Sequence, residues 1–158
     1  MTFVTTLENA KLHLRVDGTD EDALIGVYIA AAEQSAVALL DRGVYADGTA
    51  LGVAKAAAPG ELTAATATYT AAIAAAQAMA DTTEQAAAIQ TAGNDLLRAQ
   101  VAYRQAMDGM VVNDTIKSAV LLIVGHLYAH REDVVAGVSV AKLPNGAEWL
   151  LAPYKVYA

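Results

Sequence analysis

A chain of 158 residues without cysteine is long enough to bury one ordinary core, roughly 70% of the surface its unfolded form exposes, and offers no thiol for a disulfide framework or a thiolate metal site. Its 17 acidic and 10 basic side chains leave a net charge of -7, the wrong sign for gripping phosphates through counterion release, which argues against tight nucleic-acid binding. Ala supplies much of the 56% hydrophobic content, aromatics reach only 6% and Pro occurs three times, so the composition predicts a mostly helical protein.

The opening, MTFVTTLENAKLHLRVD, has no basic stretch followed by an apolar one, so no secretion signal is expected and the chain reads as a cytoplasmic product. Thr5 and Glu8 stand at capping-box spacing ahead of Leu7, Ala10, Leu12 and Leu14, predicting a short first helix to about Arg15. Residues 16–19 are turn chemistry. Thr19 with Asp22 makes a second capping box, and Asp20, Glu21 and Asp22 load the first turn of a second helix with the charge its dipole prefers. That helix carries Leu24, Ile25, Tyr28, Ile29, Ala32, Ala36, Leu39 and Leu40 as its stripe and stops near Arg42 and Gly43. The acidic triplet is read as helix capping rather than as a metal site.

Residues 43–60 contain four Gly and one Pro without a sustained period, which predicts a loop or a pair of short extended pieces. From 61 to 110 Ala dominates, and residues 81–84, DTTE, supply a turn and a fresh helix start. In the second arm Ile89, Leu96, Tyr103 and Met110 recur every seven residues, with Ala92, Ala99 and Ala106 as the alternate layer. The first arm repeats this as Leu62, Tyr69 and Ala76 with Ala65, Ala72 and Met79. Small layers of this kind let two antiparallel helices pack closely, so the segment reads as a helical hairpin in preference to a flexible low-complexity tether.

Residues 113–132, NDTIKSAVLLIVGHLYAHRE, read as the core helix. Asn113 or Asp114 caps it, and Ile116, Ala119, Val120, Ile123, Val124, Leu127 and Tyr128 recur at steps of three and four. Gly125 costs about 1 kcal/mol against Ala inside a helix, so a close approach by another helix is expected there. The apolar run 118–129 falls far short of the about 20 residues that span a bilayer, and no membrane span is expected. Residues 133–142, DVVAGVSVAK, suggest an extended arm, and 143–146, LPNG, a turn. Residues 147–151 allow at most two helical turns, closed by Pro153, before an extended tail. Trp149, Leu150, Leu151, Tyr154 and Tyr157 are the candidate interface residues, on a segment with too little local structure to order itself without a partner surface.

Catalytic chemistry finds little footing. His126 and His130 stand four apart on one helix, but two ligands are not a metal site, and no third is evident. His13 reads as a surface residue. No GxSxG, phosphate-cradling glycine loop or nucleophile arrangement occurs, so no enzyme, metal or cofactor is expected.

Both ends resemble a known family. Residues 6–17, TLENAKLHLRVD, with Asp20, Glu21, Asp22, Leu24, Ile25, Tyr28 and Ile29, are similar to the opening of the phage head-tail connector (adaptor) proteins of long-tailed phages. Residues 116–122, then Gly125, His126, Leu127, Tyr128, His130, Arg131 and Glu132, followed by Leu143, Pro144 and the LLAPY of 150–154, resemble that family's last long helix and tail. The departure is 43–110, where the family usually has a much shorter connection. The resemblance implies one connector domain over 1–158, with its core in 1–42 and 111–158 and a loop plus Ala-rich hairpin inserted at 43–110. The expected fold is therefore all-α, a small helical bundle with an inserted antiparallel hairpin and an extended C-terminal arm. The implied role is a structural virion protein of the neck, made in the host cytoplasm, forming a homo-oligomeric ring, commonly twelve-fold, between the portal protein and the tail-side stopper. DNA would pass through its centre without specific binding, for which an acidic protein is physically suited. The competing reading is a stand-alone helical interaction module, such as a toxin-system partner or regulator.

Overall fold

The computed structural model describes residues 5–130 and 146–157. Among them are six α-helices, a final 3-10 turn and one two-stranded sheet, so the expected all-α class holds. The chain divides into two compact units, Met1–Asp47 with Met110–Ala158, and Gly48–Gly109. The first holds α1 (Leu7–Leu14), α2 (Asp22–Leu40), β1 (Val44–Tyr45), β2 (Met110–Val111), α5 (Asp114–Ala129) and α6 (Gly146–Leu151); the second holds α3 (Gly48–Gln77) and α4 (Thr82–Met107).

In the first unit α2 and α5 form the centre, with α1 and α6 packed on both. The buried cluster is Ala10 of α1, Ile25, Ile29, Ala32, Ala36 and Leu40 of α2, Ile116, Ala119, Val120 and Val124 of α5, and Leu151 of α6. By length and composition α2 is apolar enough to cross a membrane, but here its stripe is occupied by the other helices of the unit. Asn113 caps α5 as expected, its Oδ1 accepting the Ile116 N–H at 2.9 Å. The helix ends at Ala129, and residues 131 and 132 lie outside the described residues. At Gly125 the close neighbour is a side chain of α1: an added Cβ would sit 3.2 Å from His13 Nε2.

The starts of α1 and α2 differ from their expected capping boxes, and tertiary contacts are the reason. Thr6 caps α1, its Oγ1 accepting the Asn9 N–H at 3.2 Å, while Thr5 is buried and donates its backbone N–H to Glu33 Oε1 at 2.9 Å. At α2 the Asp22 N–H turns back to the Thr19 carbonyl at 3.2 Å, and Glu21 occupies the cap position with no capping bond from its side chain to the helix backbone. The acidic side chains are used across space. Lys11 Nζ lies 2.6 Å from Asp22 Oδ1, fastening α1 to α2, and the Tyr128 hydroxyl donates to Glu21 Oε2, fastening α5 to the start of α2.

Residues 43–60 are not a loop. Only Val44 and Tyr45 are extended, pairing in parallel with Met110 and Val111. The Met110 N–H donates to the Gly43 carbonyl at 2.9 Å and the Val112 N–H to the Tyr45 carbonyl at 2.8 Å. From Gly48 the chain is helical for 30 residues, with Pro59 inside the helix. Pro there removes one backbone donor, at a cost of about 3 kcal/mol in a helix interior. The Ala-rich flanks offset this, because the inward phase runs unbroken across it: Leu51, Ala54, Ala58, Leu62, Ala65, Tyr69, Ala72 and Ala76 are buried or half-buried, with Ala50, Lys55 and Ile73 half-buried beside them. The glycines and the proline masked a seam that begins a full heptad and more before residue 61. On α4 the seam is Ala88, Ala92, Leu96, Ala99, Tyr103 and Ala106; Ile89 and Met79 point away from it.

The C-terminal segment is ordered by its own chain. Leu151 is 1% exposed in the first unit's core, so the segment expected to need a partner surface is anchored by its own chain, and a chain ending at Lys142 would lose a core residue. The Val-rich arm 134–140 and the turn residues 143–145 lie outside the described residues.

Two stability outcomes follow. Leu151→Ala should lower the free energy of unfolding by about 2 to 5 kcal/mol through the lost burial and residual cavity, read from urea midpoints; a change within about 0.5 kcal/mol, typical of a surface site, would remove Leu151 from the core. In the hairpin turn the Asp81 carboxyl accepts the Glu84 and Thr83 backbone N–H groups, which hold its pKa below the usual 3.8. Because the folded value is depressed, the cap's contribution is present above the unfolded value near 3.8 and lost as pH falls through the lower folded one. Asp81→Asn should keep the cap and remove this part of the acid-induced loss of helicity; identical acid titrations of the two proteins by circular dichroism would show the cap to be idle.

Candidate functional site

The five residues singled out near the C-terminus do different jobs. After α6 the chain makes a 3-10 turn over Ala152–Tyr154, with Pro153 inside it, and then runs extended. Leu151 is buried, and Leu150, Tyr154 and Ala147 pack partly buried against the core. Arg42 Nη1 donates to the Tyr154 carbonyl at 3.3 Å, and the Val156 N–H donates to the Leu40 carbonyl at 3.0 Å. These bonds stitch the tail onto the end of α2. What remains outward is aromatic: Trp149 is 75% and Tyr157 79% exposed.

Trp149 stands on a fixed support. An added Cβ at Gly146 would meet Leu122 Cδ1 of α5 at 3.7 Å, and Gly146 and Trp149, three apart, share a face of α6. Leu122 is itself 43% exposed, so the α5 side chain nearest Gly146 is only partly covered. At the tail, Lys155 Nζ lies 5.5 Å from the centroid of the Tyr157 ring, within cation–π range. An exposed Trp on a short helix whose other side is locked into a core is preorganised for a partner, since little further ordering is needed when it is covered.

Among the described residues no third ligand joins the two neighbouring histidines. His126 and His130 stack with ring centroids 4.6 Å apart, and His130 Nδ1 lies 3.1 Å from the His126 carbonyl. Among the described residues His126 Nδ1 is buried with no hydrogen-bond partner, and no group of three or more His, Cys, Asp or Glu could hold a metal ion. Sequence reasoning missed one polar group in α2, Glu33, which is buried and bonded to Thr5. Its signal was present: it lies one residue beyond Ala32 and four beyond Ile29, on the buried stripe.

A family model for phage gp6-like head-tail connector proteins matches residues 4–105. The chain belongs to this family. The matched residues include the opening that suggested it and run on through α2, β1, α3 and most of α4, where a shorter connection was expected. They end before α5, so the likeness of 116–154 to the family's tail rests on the residues quoted above. No curated protein and no solved structure gives a significant match. Membership makes the chain a structural virion protein of the head-tail junction, from a family that is not enzymatic.

Proposed function

We propose that copies of this connector form a ring, commonly twelve-fold in proteins it resembles, seated between the portal and the tail-side stopper, with DNA passing through its centre. In this reading the chain performs no catalysis, holds no metal or cofactor and meets its partners in the host cytoplasm before entering the virion. The observation that carries the docking role is the pair Trp149 and Tyr157, displayed outward from a segment whose remaining large side chains are anchored. They serve as the contact with the portal ring or an adjacent subunit. A large aromatic that becomes covered in an interface commonly accounts for 2 kcal/mol or more of binding. The charge agrees with a conduit: at -7 per chain the ring repels phosphate and leaves DNA free to slide.

Trp149→Ala tests this without threatening the fold, because the side chain is exposed and contributes little to the unit's own core. The variant should melt like the parent yet weaken docking by about 2 kcal/mol or more, with a matching fall in tailed particles counted by electron microscopy. Normal yields of tailed, infectious particles would show that the aromatic pair is not the docking element.

A further inference from the structure

Residues 40–45 hold two different segments of the first unit. The Leu40 carbonyl at the end of α2 accepts the Val156 N–H at 3.0 Å and Arg42 Nη1 donates to the Tyr154 carbonyl at 3.3 Å, so residues 40 and 42 fix the C-terminal tail. The residues that follow fix the root of the hairpin. The Gly43 carbonyl accepts the Met110 N–H at 2.9 Å and the Tyr45 carbonyl the Val112 N–H at 2.8 Å, which closes β1 onto β2 where the chain leaves for the second unit and returns from it. Between these two sets of bonds the backbone has little slack. Asp41, at φ 51 and ψ 35, is one of two non-glycine residues at positive φ among the described residues, a conformation that costs an L residue free energy and persists because its surroundings impose it. Gly43 lies against the Tyr45 ring, where an added Cβ would sit 2.7 Å from Cε2. Only Arg42 separates the left-handed turn from this covered glycine, so a backbone rotation at 41 that frees the tail is passed on to the Gly43 carbonyl.

We propose that residues 40–45 are a two-state strap: pinned, it holds the tail and the β1–β2 root together, and released, it frees both. Order in the tail and closure of the root are then one coupled equilibrium. Coupling of this kind needs an element with two arrangements that both sites bias, and each site here makes its hydrogen bonds to the strap in the pinned arrangement. The α2–α5 core does not have to move, because Leu40 is fully buried in it and fixes the point at which the strap begins. The use of the strap in assembly rests on the docking reading above: a partner that covers Tyr157 orders the tail and, through the strap, tightens the root of the hairpin. The coupling itself belongs to the single chain and is tested without a partner.

Amide hydrogen exchange followed by NMR on the full chain tests it from both ends. Val156→Pro removes the tail's N–H donor, and Lys155, at φ -68 and ψ 135, already has the extended backbone that a following proline requires. Exchange at Met110 and Val112 should accelerate about two- to tenfold, the population factor of one net hydrogen bond, while Val156→Ala, which keeps the donor, should leave both near the parent's rates. Linkage requires the reverse effect as well. Val112→Pro, placed after the strand residue Val111, removes a donor at the root, and exchange at Val156 should rise by a similar factor. In both proline variants the buried α5 residues Val120 and Val124 should keep the parent's rates. Root amides unmoved by Val156→Pro, or a Val156 amide unmoved by Val112→Pro, would overturn the strap by showing two independent attachments. Acceleration that extends equally to Val120 and Val124, or outright unfolding of either variant, would overturn it by merging these residues with global unfolding. Exchange rates as expected support the strap even if Trp149→Ala leaves docking intact, a result that would remove the docking reading alone.

Discussion

The packing of α2 against α5 is the constraint on which the rest of the first unit depends. These helices are separated by the whole hairpin in sequence, yet Ile25, Ile29, Ala32, Ala36 and Leu40 share one buried cluster with Ile116, Ala119, Val120 and Val124. Alanines at positions 32, 36 and 119 keep that contact close. Everything smaller is fastened to it: α1 through Ala10 and the Lys11–Asp22 pair, the N-terminal end through Thr5 and Glu33, and α6 through Leu151. The exposed aromatics inherit their positions from that last anchor, so the proposed docking surface is a consequence of core packing.

An insertion as long as α3 and α4 sits in this core at modest thermodynamic cost. Loop-closure entropy rises only by about 0.6 kcal/mol for each doubling of length, provided the two ends of the insertion are held together in the fold. The parallel pairing of Val44 with Met110 and Tyr45 with Val111 meets that condition at the points where the chain leaves and returns. Four extended residues thus reconcile a compact helical core with a long excursion. The hairpin has its own internal logic, an alanine seam in phase over both arms, and only Ala58, Ala76 and Ala92 among its hydrophobic residues are fully buried. So thin a seam leaves apolar surface on both arms to be covered by something else.

Helix phase was the most legible property of the chain. The α5 stripe, its Asn113 cap and the α2 stripe could all be read from spacing, because a 3.6-residue period survives whatever the helix packs against. Caps were less legible. Thr5 and Thr6 are chemically equivalent signals, and only the Glu33 carboxylate, 28 residues away, draws the first of them inward. Glu21 and Asp22 looked like local dipole complements and are used instead by Tyr128 and Lys11. Around Pro59 local propensity argued for a break, whereas a seam that stays in register on both sides keeps the helix whole. Among the candidate docking residues, whether an aromatic or aliphatic side chain faces core or solvent depends on how α6 rotates onto α2 and α5. That is a tertiary fact, and it separates Leu151 from Trp149.

In the ring reading this acidic chain works by closing on copies of itself. Native mass spectrometry of the intact protein tests it most directly, since each subunit adds 16.3 kDa and ring stoichiometry is read as a mass. The account predicts one dominant closed species at a fixed high multiple of that mass, expected near twelve. A chain that remains a monomer or dimer across the concentrations at which it assembles into particles would contradict it.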